Sequence, residues 1–537
     1  MKAIELENDN TKSFFKDRYI WLLLIISLSV RIYLSFFTYV IKNDSVAFMQ
    51  NAKYFASGDF ASGLGHDYHP LYSLIMAVLY KVVPDMELSG TIISVLFGTL
   101  TVIVFYLIGK SAFDRKISFV SAIILAFHPY AVRFSADIIS ESTYFFFFIS
   151  ALGLGYFAIT NRKLLLFALT GICSALAYLA RPEGIGIIII VAFWYALKDC
   201  VKIKVLWKEK LVSILILVVS FLAFSMPYLV FIRQDTGSWS LTKKKEVSYL
   251  SGVTQMINTL KRDKDSNKQE HPIVKQTTVR RSDSGIYLKG LLHMVKKYIS
   301  TFNPFLFIFL IFGVVNWTRI SKERFFGFYI ITVIVFYLLV LYRLGVTHLA
   351  SDQDTLMYPS RRHLMPLVIP AIFCVGLGVY TAGAWIQEKF HNCNFIVGFK
   401  ELLKNTWTVQ LIVLIIVVSV LLPKTLKPQR FDKHGIRVVA QWIRTNSHKP
   451  YPVILSNSSR NAYYAGGKHV QMYGINDAMG VAQARKADYI IIVQRDYVLI
   501  EKELLQYTKD KKIELAYKYP EKNSLNKRSV FLYEVLH

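Results

Sequence analysis

Charged residues are scarce in this chain. Asp, Glu, Lys and Arg make up 18% of its 537 residues, against about a quarter in an ordinary soluble composition. With 54% apolar residues, 38 Phe, 32 Tyr and a mean hydropathy of +0.38, that scarcity excludes a string of soluble domains. Acidic side chains are the scarcer sign, 36 against 63 Lys and Arg, for a net charge of +27. So basic a chain would suit nucleic acid, but its basic residues sit in short links between apolar runs, as anchoring of transmembrane helices requires, so nucleic acid is not an expected partner. Cysteine is limited to Cys173, Cys200, Cys374 and Cys393, without CxxC or Cys/His metal spacing, which excludes a disulfide framework or a zinc cluster. Also missing are a glycine-rich phosphate fingerprint, a repeat of solenoid period and a small-residue cleavage site after the first apolar run. That run, 19–40, therefore reads as a retained first helix.

What is present is a succession of apolar runs. A spanning helix needs about 20 mainly apolar residues, and such stretches fall at 19–40, 88–109, 117–135, 140–159, 164–180, 184–197, 211–232, 302–318, 325–344, 363–385 and 407–423. The run 70–83 is too short to cross comfortably and reads as a re-entrant or interfacial helix, or a tilted span that would change the count. Alternate links are basic: about twenty Lys and Arg lie in the links on one side against about six on the other. The positive-inside bias then puts the N-terminus in the cytoplasm and the C-terminus outside. The predicted organisation is a membrane part, 1–423, and a C-terminal extracytoplasmic domain, 424–537. Within the membrane part lie an outer loop, 41–87, and a long outer loop, 234–300, whose polar middle (KRDKDSNKQEHPIVKQ) cannot bury enough apolar surface to fold alone. Beyond Lys424, short β-rich runs near 453, 469, 489, 513 and 530 alternate with helical stretches near 434–447, 475–487 and 499–510, which predicts a small soluble α/β domain.

Ionisable groups at membrane depth are costly and mark function, pairing or a water-filled cavity. With this topology Asp44, the stretch His66 to Pro70, Asp137, Glu141, Arg181, Glu183 and the group Tyr358 to His363 all fall at the outer face. Convergence of acids and cations from separate loops is what a catalytic site needs. Asp44 opens an amphipathic helix, either as its N-cap or as a general base. His66, Asp67 and His69 precede an apolar helix, and their spacing suits a metal or an anion met at the helix start. Asp137 and Glu141, four apart in FSADIISESTYFFFF, would share one helix face, where they are either solvated at the interface or repel so that one pKa rises. In YLARPEGIGI, Arg181 either pairs with Glu183 or serves as a phosphate ligand. Arg361 and Arg362, in SRRHLMPLVIP, run against the charge bias and could neutralise a phosphate leaving group. Asp352 and Asp354 have the DxD spacing of nucleotide-sugar enzymes, a motif too short to weigh much.

Taken in order, the acid in NDSVAFMQNAKYFASGDF, the HPLY stretch, SESTYFF, the LARPEG turn and SRRHLMPLVIP resemble the polytopic GT-C glycosyltransferases, specifically the bacterial relatives of protein O-mannosyltransferases and of lipid A aminoarabinose transferases. The resemblance runs over most of the membrane part. It implies a GT-C fold of about 11 to 13 transmembrane helices, with a soluble outer domain. It further implies a polyprenyl-phosphate sugar as donor, a hexosyl or pentosyl group transferred with inversion outside the cytoplasmic (inner) membrane, and a protein, lipid or glycan acceptor. Asp44 matches the family's catalytic first-loop carboxylate, and Glu141 or Asp137 its second-loop acid. His69 stands where some relatives place a Lys that contacts the donor phosphate. On this reading His69, Arg181, Arg361 and Arg362 receive the phosphate, while His66, Asp67, Glu183, Tyr358 and His363 support the site. A monophosphate leaving group held by such cations requires no metal, although a divalent cation could serve. The rival readings are a polytopic transporter or lipid flippase whose buried ions line a pathway, and a noncatalytic subunit of envelope assembly.

Overall fold

The computed structural model describes residues 17–197, 207–243, 284–320, 324–350, 359–390, 405–474, 478–494, 504, 507–520 and 528–536. Tyr358, Asp352, Asp354, Cys200, Cys393, the polar middle of the long loop and most of the helix expected near 499–510 lie outside the described residues.

All eleven apolar stretches are helical over most of their length. Among the described residues, seven helices are long and apolar enough to cross a bilayer: Arg18–Phe36, Met86–Ala112, Glu141–Asn161, Trp207–Thr236, Arg324–Leu344, Arg361–Lys389 and Thr406–Leu426. Two further helix pairs are long and apolar enough only when taken together, each bent at a short break as in a broken span or a re-entrant loop: Arg115–Ala126 with Pro129–Ser135 at 59° and Leu288–Phe302 with Pro304–Trp317 at 92°. Proline sets both breaks, because it offers no N–H and disfavours helical backbone in the residue before it. His128 is accordingly extended, and its Nδ1 accepts from the Ala131 N–H at 3.4 Å; Asn303 takes φ 83°. The shorter apolar helices Leu164–Ala180 and Pro182–Leu197 complete the set. Leu71–Tyr80, within the run too short to cross, packs beside Asn43–Ala56 and against Met86–Ala112.

One expected boundary moves. The long outer loop does not run on to residue 300, because Ser284–Phe302 is helical. Leu288, Leu292, Val295 and Ile299 recur at helical spacing along an exposed edge while Met294 and Phe302 are buried. Interleaved lysines lower the average hydropathy and conceal that amphipathic pattern.

Arg361–Lys389 is the most enclosed span and Trp207–Thr236 the most peripheral. Against the former, Pro304–Ile320 approaches backbone to backbone. A Cβ at Gly313 would lie 1.8 Å from the Cys374 carbonyl oxygen, and one at Gly378 would lie 1.8 Å from that of Phe309. Larger residues at either point would force the helices apart, as small-residue contacts between membrane helices require. Arg31 is buried within the first span and is held by the Ser27 hydroxyl at 2.6 Å and the Ser135 hydroxyl at 3.3 Å.

Past Thr406–Leu426, five strands among the described residues form one sheet in the order β2-β1-β3-β5-β4. The first three, β1 (Val453–Ser456), β2 (Lys468–Gln471) and β3 (Tyr489–Gln494), are parallel; β5 (Ser529–Val535) runs antiparallel to β3 and to β4 (Ile513–Tyr519). All five match the β-rich runs of the sequence. Gly435–Asn446 and Ala478–Ala484 fall where helices were expected, but the crossover Ser459–Ala465 between β1 and β2 was not foreseen. Seven residues are too few for a periodic signal, and this helix faces the first loop of the membrane part.

Candidate active site

The first loop leaves its span with backbone tied to the C-terminal segment. Tyr39 N–H donates to the Gln429 carbonyl at 3.1 Å, and Gln429 N–H to that of Phe37 at 2.9 Å. Arg430 Nε donates to the Val40 carbonyl. Ile41 N–H donates to the Tyr464 hydroxyl at 2.9 Å, Arg460 donates to the Ile41 carbonyl at 3.2 Å, and Ser458 bonds Asn43. Lys42 then occupies the cap position of Asn43–Ala56 without a side-chain capping bond, and Asp44 sits in the first turn. Of the two roles open to Asp44, the helix cap is therefore not the one adopted.

The Asp44 carboxylate instead accepts from Arg362 Nη1 at 2.5 Å. That nitrogen lies 3.7 Å from Glu141 Oε1, which accepts from Arg181 Nη1 at 3.1 Å. Arg181 closes the chain by donating from Nη2 and Nε to Glu183, at 2.9 and 3.3 Å. Three carboxylates and two guanidiniums from four separate parts of the sequence thus form one connected array. The local backbone explains how Arg181 reaches it. Arg181 is extended after Leu164–Ala180, and the turn beyond it closes on Gly184, where a Cβ would lie 2.2 Å from the Tyr178 nitrogen. Beside the array a narrow pocket is lined by Phe48, Tyr68, His69, Ser140, Glu141, Arg181, Pro182 and Arg362, among others. His69 is buried, with Nδ1 2.6 Å from the Tyr178 carbonyl. A carbonyl can only accept, so Nδ1 carries a proton.

Burial pushes the Asp44 carboxyl up, but the charge and hydrogen bond of Arg362, then Tyr68 and Lys42, outweigh it and hold Asp44 below the ordinary carboxylate value. Tyr68 moves the other way, raised by burial and by the neighbouring Asp44 charge. It lies between Asp67 and His69 in the stretch already marked by the sequence, but a tyrosine in so aromatic a chain carries no signal of its own.

Several expectations are corrected by this geometry. Asp137 and Glu141 do not share a helix face, because the helix begins at Glu141 and Asp137 sits in the turn before it. Asp137 belongs to a separate cluster, bound by Lys42 at 3.0 Å and by Arg430. Its carboxyl is not raised by Glu141: burial pushes it up, and Arg430 and Lys42 bring it below the ordinary value. Arg181 pairs with Glu183, one of its two expected roles, and with Glu141 as well, while still lining the pocket. Arg361 and Arg362 diverge, with Arg361 lying over the Tyr130 ring at 5.1 Å, away from the pocket lining. His66 stacks on Tyr68, and His363 Nδ1 lies 3.1 Å from the Ser360 hydroxyl at the start of its helix. Asp67 is near enough to Tyr228 to act on it electrostatically. Among the described residues no three His, Cys, Asp or Glu side chains gather as a metal-ligand set. Lys42, Arg430, Ser458, Arg460 and Tyr464 were not foreseen, since nothing local announces contacts some 400 positions away.

Because Asp137 ties the first loop to Arg430, its loss should tell on stability before chemistry. Asp137→Asn is expected to destabilise the protein by about 2–3 kcal/mol, below the loss seen when a buried pair is broken outright, with less than a tenfold fall in rate. Thermal unfolding in detergent beside a rate assay checks this; a large rate loss at unchanged stability would move Asp137 into the chemistry.

Residues 67–231, about a third of the chain, match the family model of dolichyl-phosphate-mannose-protein mannosyltransferase. No curated protein matches the chain. Among solved structures, ArnT from Cupriavidus metallidurans bound to undecaprenyl phosphate superposes with a TM-score of 0.55 at 12% identity, covering 96% of this chain and 98% of that one. Its apo state gives 0.54 at 12% identity, covering 96% and 97%. The Archaeoglobus fulgidus oligosaccharyltransferase, tethered with an acceptor peptide containing the NVT sequon, gives 0.51 at 13% identity, covering 98% of this chain and 75% of that one. The fold is that of the GT-C membrane glycosyltransferases. Within that class the match over 67–231 makes the chain similar to the protein mannosyltransferases, and its array of acids and guanidiniums is built on that scaffold.

Proposed function

We propose that the chain transfers a sugar from a polyprenyl-phosphate donor to an acceptor hydroxyl, with inversion, at the extracytoplasmic face of the cytoplasmic membrane. The observation that carries this reading is the meeting of Asp44 with Arg362, 318 residues away, beside the pocket of Tyr68, His69, Glu141 and Arg181. Asp44, kept ionised by Arg362, takes the proton of the acceptor hydroxyl as its oxygen bonds to the anomeric carbon. The carbon–oxygen bond to the phosphate breaks on the opposite side, and the lipid phosphate leaves with the electron pair, so one displacement inverts the centre. His69 and Arg362 are the lining groups that would meet the growing phosphate charge. Arg362 stands between two acids, Asp44 and Glu141, and Glu141 is itself held by Arg181. The undecaprenyl phosphate bound to the ArnT structure supports a polyprenyl donor, and the peptide on the oligosaccharyltransferase supports a peptide acceptor as readily as a lipid one.

The test is incubation of purified protein with radiolabelled polyprenyl-phosphate sugars and envelope extract. Label moving to an acceptor supports the reading; no transfer from any donor, with label crossing the bilayer instead, would favour a flippase.

The pH dependence follows from Asp44. Its pKa is lowered on folding, so it stays ionised as pH falls through the ordinary carboxylate value of about 3.9. The acid limb of kcat/KM is expected below that pH. Arg362→Gln removes the largest lowering influence and leaves burial, so the limb should move to higher pH. An unmoved limb would show that Asp44 is not the titrating base.

A further inference from the structure

The first span carries a buried arginine, Arg31, shortly before its end at Phe36. An ionisable side chain within a crossing is costly and marks a function or a specific partner. Arg31 Nη1 donates to the Ser27 hydroxyl at 2.6 Å and to the Ser27 carbonyl at 3.1 Å, which ties that end of the guanidinium to its own helix. Nε reaches out of the span and donates to the Ser135 hydroxyl at 3.3 Å. Ser135 gives its one hydroxyl proton to the Ala131 carbonyl at 2.7 Å. Its two lone pairs are therefore free to accept, one from Arg31 and the other from the Ser142 hydroxyl at 3.2 Å. Gly98, in Met86–Ala112, keeps room for this node: a Cβ there would lie 2.1 Å from Ser135 Oγ and 2.9 Å from Arg31 Nε.

Ser142 follows Glu141 in the first turn of its helix. The tie from Arg31 thus ends one residue from the acid that stands 3.7 Å from Arg362, the partner of Asp44. Building on the glycosyltransferase reading, we propose that Arg31 is a positioning residue: through Ser135 and Ser142 it fixes the start of Glu141–Asn161 against the first span, and so sets where Glu141 meets Arg362 beside Asp44. Arg181 holds the Glu141 carboxylate, and the serine pair holds the helix turn that delivers it. An apolar side chain at position 31 would fill space without joining Ser27 to Ser135, and lysine offers one nitrogen where Arg31 uses two. Such support matters because a misplacement of about 1 Å at a distance from the chemistry costs on the order of 10²-fold in rate.

Arg31→Gln tests this beside the milder Ser135→Ala, which removes the shared oxygen, leaves the charge in place and carries the test where Arg31→Gln fails to fold. Per folded molecule, kcat should fall about tenfold in Arg31→Gln and about threefold in Ser135→Ala, with KM for the donor within about twofold of wild type. As Glu141 shifts and the contact of Arg362 with Asp44 loosens, the acid limb of kcat/KM should move to higher pH in both, which loss of folded protein alone does not produce. Backbone hydrogen exchange over 136–144 should quicken in both variants while that of Gly435–Asn446 stays unchanged. A wild-type kcat and acid limb in the variants would overturn the proposal, and a lowered thermal midpoint with an unmoved limb would overturn it in favour of stability alone. Unchanged exchange over 136–144 would overturn it whatever donor the protein uses. Wild type that transfers no sugar from any donor would sink the glycosyltransferase reading instead, and the exchange measurement alone would then decide whether Arg31 holds this turn.

Discussion

Asp44→Asn is expected to slow sugar transfer by 10²- to 10⁴-fold, the range set by loss of a positioned general base, while donor binding changes little. Asparagine keeps the size and a hydrogen-bond acceptor for Arg362, and Arg362 retains Glu141 at 3.7 Å. The array therefore loses its proton acceptor without stranding a cation. Single-turnover transfer of labelled sugar, beside a donor-binding measurement on the same preparation, separates the two effects. Equal transfer by variant and wild type would remove Asp44 from the chemistry and leave the noncatalytic reading standing.

Arg181→Gln should act through stability instead. The Glu141 side chain is 1% exposed and that of Glu183 15%, and both accept hydrogen bonds from this guanidinium, Glu141 lying 3.7 Å from Arg362 as well. Its removal leaves buried carboxylates with a lost partner, and breaking a buried pair in this way costs about 3–5 kcal/mol. Lysine would not restore the site, because three separate N–H groups of Arg181 are engaged and an ammonium cannot reproduce that planar fork. Thermal unfolding in detergent reads the loss, and Arg181→Gln combined with Glu141→Gln should recover part of it. A variant with the wild-type midpoint and weakened donor binding would instead assign Arg181 to the phosphate.

Much of the membrane part was legible because bilayer thickness and hydropathy set helix length directly. The breaks before Pro129 and Pro304 are local and follow from proline itself, but their angles depend on packing that no window of sequence contains. The five strands could be read because β-branched and aromatic runs lie between polar helices, whereas the short helix Ser459–Ala465 could not. At the site, Glu141, Arg181 and Arg362 could be singled out because each is an ion at membrane depth. Their division of labour could not be read, since which acid takes which cation depends on side-chain direction. The two neighbours Arg361 and Arg362 leave one helix start toward different surroundings. Asp137 was misplaced for a related reason: four residues look like one helical turn, but the helix starts only at Glu141.

The bonds that seat residues 40–43 come from Arg430, Ser458, Arg460 and Tyr464. During synthesis the ribosome delivers the acid first and its seat some four hundred codons later. A product cut short by a premature stop before codon 430 would retain Asp44 and most of the bilayer-spanning scaffold yet lack every one of these ties. On this arrangement the first loop can be seated only after the chain has been made through Tyr464, so its geometry is set by assembly of the finished fold and not by the membrane segment that carries it.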